Sequence, residues 1–309
     1  MPWLGKDLFN TGENKICCWL EQSYDIDQIR YDLLNDVKSS ACSKCWRAEA
    51  QGQQSRRQQQ NTLADVLYDM TIENLQLMCD TTKGIREQLM SGPTNYNPTM
   101  YQINSSNVCN GACIMCGPEA SSKWQSLLKD HNKRVVHDID IDFATAKYVE
   151  FVGGEPLLEQ KYVDILEKLN RDCVVSIVTN GSVDIKPQLL NLLKEFKNLV
   201  ICMSIDGVGP IFEYQRWPLK WNKLQENLAN FKQLDCNLSV SYTLTNINLP
   251  YKQQTIDWFD SQGLPYIINE CIFPKHFAAS APISEKTIQE LDRQDALKGI
   301  DRRDYGFNF

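Results

Sequence analysis

The chain has no long hydrophobic run, no excess of positive charge and no internal repeat. No apolar stretch approaches the roughly 20 residues that span a bilayer, so no membrane protein is expected. The opening MPWLGKDLF lacks a basic stretch followed by an apolar one, so no secretory signal is expected either. A formal net charge of -7 supplies no general basic face, and long nucleic acid is not an expected partner. What is present is bulk. The 309 residues are 42 % hydrophobic and 23 % charged, enough for a full core in one large domain, alone or with a smaller companion. That content is too apolar for a wholly disordered chain.

Twelve cysteines are many for this length. Disulfide scaffolds are short, loop-rich and secreted, whereas the patterning here places the chain in a reducing, cytoplasmic setting. Its thiols are then inert core residues or metal ligands, and their spacing separates the two. Cys109, Cys113 and Cys116 lie in one run, CNGACIMC; Cys42 and Cys45 form a close pair; Cys17 and Cys18 are adjacent. Cys173 and Cys202 fall beside or within the apolar runs CVVSIV and LVICMSI and read as small core hydrophobes. Cys236 and Cys271 read the same way, and Cys79 stands alone.

Residues 1–60 read as a small irregular cysteine-rich module with a helix near 27–37. Its Gln-rich AQGQQSRRQQQ is a solvated helix or linker, where Arg56 and Arg57 are available to an anion. Residues 61–98 form a helical connector, with Leu63, Val66, Leu67 and Met70 at helical spacing and a turn-rich breaker at 91–98. From 99 to 273 short apolar runs alternate with helical stretches. Strands are predicted at 99–104, 148–152, 174–179, 199–205, 238–243 and 266–272, and helices at 118–130, 160–170, 186–194, 221–233 and 252–262. Six strands separated by five helices imply parallel βα units in an open sheet or a partial barrel. Residues 274–309 add a last helix at 284–297 and an aromatic tail.

Polar residues punctuate the strand ends: the cysteine loop, Gly153-Gly154-Glu155, Asn180, then Ser204 with Asp206, and Asn246. In parallel βα folds such loops converge on one face and build the site there. Thiolates favour iron–sulfur clusters and zinc. A closed zinc site wants four ligands; one compact loop here offers three. On a cubane [4Fe-4S] cluster three thiolates leave one iron open to an outside ligand. A zinc site completed from elsewhere, or three bare thiols, are the rival readings.

The CNGACIMC run after a first strand, followed by Gly153-Gly154-Glu155 at the end of the second, resembles the radical S-adenosylmethionine (SAM) superfamily over residues 99–273. The resemblance implies an α/β fold, a partial (βα)6 TIM-like barrel, and an oxidoreductase or maturase. It implies a catalytic [4Fe-4S] cluster on Cys109, Cys113 and Cys116, whose open iron chelates SAM and cleaves it to a 5′-deoxyadenosyl radical. Gly153 and Gly154 would let backbone approach the methionine moiety, and Glu155 would accept from its ammonium. Asn180, Ser204 and Asp206 are candidates for the SAM carboxylate or ribose. Met115 occupies a position often aromatic in the family and offers an apolar contact to adenine.

Gly12, four residues, Cys17, then Cys42 and Cys45 resembles the twitch module, a shortened SPASM domain, here ahead of the barrel as in a branch found among phage and bacterial proteins. That resemblance implies a second, auxiliary [4Fe-4S] cluster on Cys17 or Cys18, Cys42 and Cys45, with Cys79, the other adjacent cysteine or substrate as fourth ligand. A zinc knuckle on the same thiols is the alternative. Related families imply a peptide substrate, with a nucleotide or other small molecule second, and an electron donor such as flavodoxin or ferredoxin. A non-enzymatic iron–sulfur or zinc scaffold is the reading of a different class. If phage-encoded, the chain would work in host cytoplasm.

Overall fold

The structure, a computed structural model, describes residues 5–9, 14–15, 17, 20, 24–52, 54–59, 100–104, 106–130, 143–144, 146–271 and 273–309. Cys18, Cys79, the helix expected within 61–98 and the breaker at 91–98 lie outside the described residues. Two compact units are present: Met1–Ile103 with Ile141–Val149, and Asn104–Asp140 with Glu150–Phe309.

The elements in chain order are β1 (Gly5–Phe9), β2 (Asn14–Lys15), α1 (Ile26–Leu34), α2 (Ser43–Ala50), β3 (Met100–Asn104), α3 (Ser122–Leu128), β4 (Tyr148–Phe151) and α4 (Gln160–Lys168). They continue with β5 (Val174–Thr179), α5 (Pro187–Leu193), β6 (Asn198–Ser204), α6 (Pro210–Gln215), α7 (Trp221–Phe231), β7 (Asn237–Leu244), α8 (Lys252–Ser261), β8 (Tyr266–Glu270) and α9 (Glu285–Lys298). The six strands from β3 to β8 alternate with helices in the parallel α/β architecture of a partial barrel, as the sequence predicts.

In the first unit the strand order is β2-β1-β3-β4, with β1 and β2 antiparallel. Asp25 caps α1, its carboxylate accepting from the Asp27 and Gln28 N–H groups at 2.9 and 3.4 Å. A small core gathers Leu20, Ile29 and Ala41, with Cys17, Tyr24, Leu33 and Cys42 packed against it. Arg57 is held inside this unit. It pairs with Glu49 at 2.7 Å and its guanidinium lies 4.6 Å from the Trp46 ring centroid. These contacts account for a residue the sequence offered to an anion.

In the second unit β5-β6-β7-β8 run in order and all parallel, with Ile177 opposite Ile201, Met203 opposite Val240 and Ser241 opposite Ile267. Alternating β-branched and large residues bury one face of each strand: Val175, Ile177, Leu199, Ile201 and Met203 are all closed to solvent. Helices such as α4 and α7 turn Ile165, Leu166, Leu224 and Leu228 inward. A further apolar cluster joins Ile114 of the cysteine loop to Tyr214, Ile247, Phe277, Leu291 and Phe307. Cys173 and Cys271 are buried as expected; Cys202 and Cys236 are half-buried. No helix among the described residues is long and apolar enough to cross a membrane.

Candidate active site

Beyond β3 the chain enters the cysteine loop, which has no regular secondary structure. Its backbone groups therefore need partners from other elements. The Ala112 N–H donates to the Trp217 carbonyl at 2.6 Å and the Ile114 N–H to the Gln215 carbonyl at 2.9 Å. Ser121, the N-cap of α3, donates its hydroxyl to the Gly111 carbonyl at 2.6 Å. The Cys109 N–H donates to the Ser122 hydroxyl at 3.1 Å. Trp124 Nε1 donates to the Cys113 carbonyl and Gln294 Nε2 to the Ile114 carbonyl, both at 3.0 Å. Three helices, α3, α6 and α9, thus grip one loop.

Cys113 is buried, and Cys109 and Cys116 are half-buried. The Gly111 N–H donates to Cys109 Sγ at 3.4 Å. Burial pushes the Cys109 thiol up to about 12, and a charge on Cys113 adds to it. The Cys116 thiol donates to Cys113, which holds Cys113 low and raises Cys116. Thiols that resist ionising together are what a bound metal centre relieves. Among the described residues no three His, Cys, Asp or Glu side chains converge as a single ion requires. A cubane cluster asks for something else, because each thiolate meets its own iron. The three soft donors of this loop fit that group.

The loop after β4 closes against the same segment. Gly153 has φ +112°, and a Cβ there would come 2.4 Å from Asn104 Oδ1 and 2.9 Å from the Ser106 carbonyl oxygen. A Cβ on Gly154 would come 2.2 Å from the Val108 carbonyl oxygen. Both positions therefore exclude any side chain, and the Glu155 N–H donates to Val108 O at 2.6 Å. Glu155 is buried, and its carboxylate accepts from the Leu157 N–H (3.2 Å), the Thr179 hydroxyl (2.8 Å) and the Asn180 N–H (2.6 Å). Burial outweighs these donors and raises its pKa to about 7. Asn180 in turn donates from Nδ2 to Asn110 Oδ1 at 2.8 Å, with Cys109 Sγ at 3.9 Å. One chain of hydrogen bonds links Glu155, Asn180 and the cysteine loop.

The ends of β6 and β7 form a second network. Ser204, half-buried, ends β6 opposite Ser241. Asp206 is wholly buried, accepts from the Thr243 N–H at 2.7 Å, and lies 2.6 Å from Arg216 Nε. Burial opposes the Arg216 charge, but Asp206, with Cys113 and Cys116, keeps it firmly protonated. That charge favours ionisation of Cys109, Cys113, Cys116 and Glu155 alike. Arg216 was not singled out from the sequence; its one signal is a lone cation inside the apolar run IFEYQRWPL. Gln294 and Lys298 of α9 were likewise missed. Met115 is half-buried against the cluster of Ile114 and Tyr214.

In the first unit Cys17 and Cys42 are half-buried and Cys45 is buried. Burial raises Cys42, and charges on Cys45 and Cys17 raise it further. Burial also raises Cys45, opposed by hydrogen bonds from the Arg57 N–H and Ser55. Three of the expected ligands therefore share one neighbourhood.

No curated protein matches the chain. Among solved structures it is similar to native anSMEcpe with bound AdoMet (18 % identity, 64 % of this chain, 61 % of that chain, TM-score 0.44). It is also similar to Streptococcus suis SuiB (12 % identity, 95 % of this chain, 68 % of that chain, TM-score 0.46) and to SuiB bound to precursor peptide SuiA (13 % identity, 95 % and 68 %, TM-score 0.46). The chain spans about three fifths of the length of the anSMEcpe chain. The family model described as the Radical SAM superfamily matches residues 103–259, just over half of the sequence. That span holds the cysteine loop, Glu155, Asn180, Asp206 and Arg216, and with it the chain belongs to the radical SAM superfamily.

Proposed function

We propose that this protein is an enzyme that binds a [4Fe-4S] cluster through Cys109, Cys113 and Cys116 and uses it on SAM. When bound, the cluster and SAM supply one-electron cleavage of the S–C5′ bond, releasing methionine and a 5′-deoxyadenosyl radical that takes a hydrogen atom from substrate. The observation that carries this reading is the three-thiol loop, gripped by three helices and electrostatically coupled within itself.

The chain's own residues do the positioning. Glu155 pins the Asn180 loop to the cysteine loop and keeps an oxygen lone pair for the SAM ammonium. Asn180 and Ser204 are assigned to the carboxylate or ribose, and Met115 to the adenine. Asp206, engaged by Arg216, acts on the same ligand mainly by fixing that guanidinium. Residues 1–60 are assigned a second cluster on Cys17, Cys42 and Cys45, with Cys18 as a further candidate ligand. A flavodoxin- or ferredoxin-type protein is assigned as electron donor, and the reducing cytoplasm as the setting that keeps the cysteines from forming disulfides.

The proposed substrate is a peptide. Among the described residues β8 is the last strand of its sheet, and its Ile267 is 67 % exposed. An extended peptide is the partner such an edge suits. The test is anaerobic reconstitution followed by dithionite reduction with SAM. Stoichiometric methionine and 5′-deoxyadenosine are expected. Intact SAM in a protein that carries about four irons at the triplet would overturn the reading.

A further inference from the structure

Lys298 is the last residue of α9, beyond the span of the family match, yet it is only 7 % exposed. Its Nζ lies 3.3 Å from Gln294 Oε1 and 5.0 Å from the centroid of the Trp124 ring. No ion pair to it exists among the described residues. A buried ammonium is costly without a counter-charge. The acidic groups of its own helix are already engaged. Asp295 is held by Arg302 at 2.7 Å and by the Tyr214 hydroxyl at 3.1 Å, and Glu290 by Arg293 at 2.6 Å.

Both contacts of Lys298 lead instead to the cysteine loop. Trp124 and Gln294 are the side chains that hold the Cys113 and Ile114 carbonyls, each at 3.0 Å. Burial draws the ammonium down to about 8, and among the charges opposing that, Cys113 is the largest. Three thiolates outweigh the positive charge of a four-iron core, so the bound unit is anionic, and gaining one electron makes it more so. Arg216 cannot supply the whole balance, because Asp206 already faces it at 2.6 Å.

We propose that Lys298, held against the cysteine loop by Trp124 and Gln294, is a positioning residue that balances the charge of the bound cluster and raises its reduction potential. This rests on the cluster reading above. The C-terminal helix then does two things at once: Gln294 fixes the loop backbone, and Lys298 makes one-electron reduction of the centre easier.

The test compares wild type, Lys298→Met and Lys298→Arg, each reconstituted anaerobically and titrated with dithionite under EPR. Lys298→Met is expected to lose at least tenfold in the reduction equilibrium, which is about 59 mV for a one-electron couple; Lys298→Arg keeps most of the wild-type value. Melting of the apo proteins gives a second readout. Without the cluster the buried ammonium has no ion pair among the described residues to offset its desolvation, so apo Lys298→Met melts at or above the wild-type temperature. A Met variant that folds but retains no cluster, while Arg retains one, also supports the charge role. Equal potentials at equal iron content, or equal loss of the cluster in both variants, overturns it. A wild type that takes up no cluster at the triplet sinks the functional reading itself; a wild-type cluster indifferent to Lys298 sinks only this inference.

Discussion

The two cysteine clusters differ in what holds their scaffolds. The triplet of the second unit is carried by a loop whose carbonyls and N–H groups are met by Trp217, Gln215, Ser121, Ser122, Trp124 and Gln294. Large buried rings and aliphatics stand behind it, including Tyr214, Phe277 and Phe307. Among the described residues of 17–52, the buried cluster beside the first unit's cysteines is small: Leu20, Ile29 and Ala41. A segment that buries so little apolar surface has little free energy to set against its ordering entropy. The lesson is that similar cysteine sets stand on different scaffolds: on the proposed reading one loop is preorganised for its metal, and the other segment would draw on metal for its fold.

The largest effects break the comparison directly. Cys113→Ala should abolish 5′-deoxyadenosine formation and the cluster at that loop, while backbone amides of 106–130 stay protected in hydrogen exchange. Cys42→Ala combined with Cys45→Ala should do the reverse to its own segment, leaving amides of 24–52 unprotected. Protection of 24–52 surviving in the double variant would show that its small core suffices. Metal analysis sharpens the same point. In Cys109→Ala/Cys113→Ala/Cys116→Ala, about four irons with matching sulfide should remain, held by the first unit. One zinc and no iron would favour the knuckle, and no metal would overturn both.

How legible each site was follows the same division. The parallel strands were readable because each is a short apolar run ended by a polar residue: 174–179 and the β6 and β7 runs are realised within a residue or so. Fixed spacing made the triplet visible, and the family resemblance of Gly153-Gly154-Glu155 singled out Glu155. Arg216, Gln294 and Lys298 were not, because their roles come from tertiary burial. Lys298 sits 182 residues after Cys116 in the chain and reads as an ordinary helix-terminal cation until it is found 7 % exposed. The helix α2 was missed because SKCWRAEA was read for its cysteine, while its buried Cys45 and Ala48 make one apolar face. The glycines were legible as glycines but for an incomplete reason: backbone at Val108 and Ser106, not only a ligand, forbids a Cβ.

Glu155 offers a test of intermediate size within the preorganised unit. Its folded pKa of about 7 stands above the ordinary 4.5. Between those values the folded apo protein keeps a proton that the unfolded chain has lost. Stability therefore falls as pH rises through that window, by on the order of 3 kcal/mol. Glu155→Gln cannot ionise, so its urea-unfolding free energy should lose this slope. It should also be less stable at the low end, since an amide nitrogen would face the Thr179 hydroxyl or the Asn180 N–H. A variant that keeps the wild-type pH slope would remove Glu155 as its source.

The smallest effect belongs to the weaker unit, where small contributions are the ones that count. Arg57 pairs with Glu49, stacks on Trp46 at 4.6 Å, and its own N–H donates to Cys45. Its side chain is about one-third exposed, so the pair is partly screened and, with the ring contact, is worth only about 1 kcal/mol. Arg57→Ala keeps the backbone donor to Cys45 and removes only the pairing and stacking. The Arg57 hydrogen bond also holds the Glu49 carboxyl below its ordinary range. Its stabilising share is therefore present at neutral pH and lost as acid protonates Glu49. Arg57→Ala should make amides of 24–52 exchange a few-fold faster near pH 7, with less difference in acid and in high salt. Amides of 106–130 should not respond. An exchange difference that is as large in acid and high salt as at neutral pH would assign Arg57 to packing alone and leave Glu49 without its part in holding Cys45.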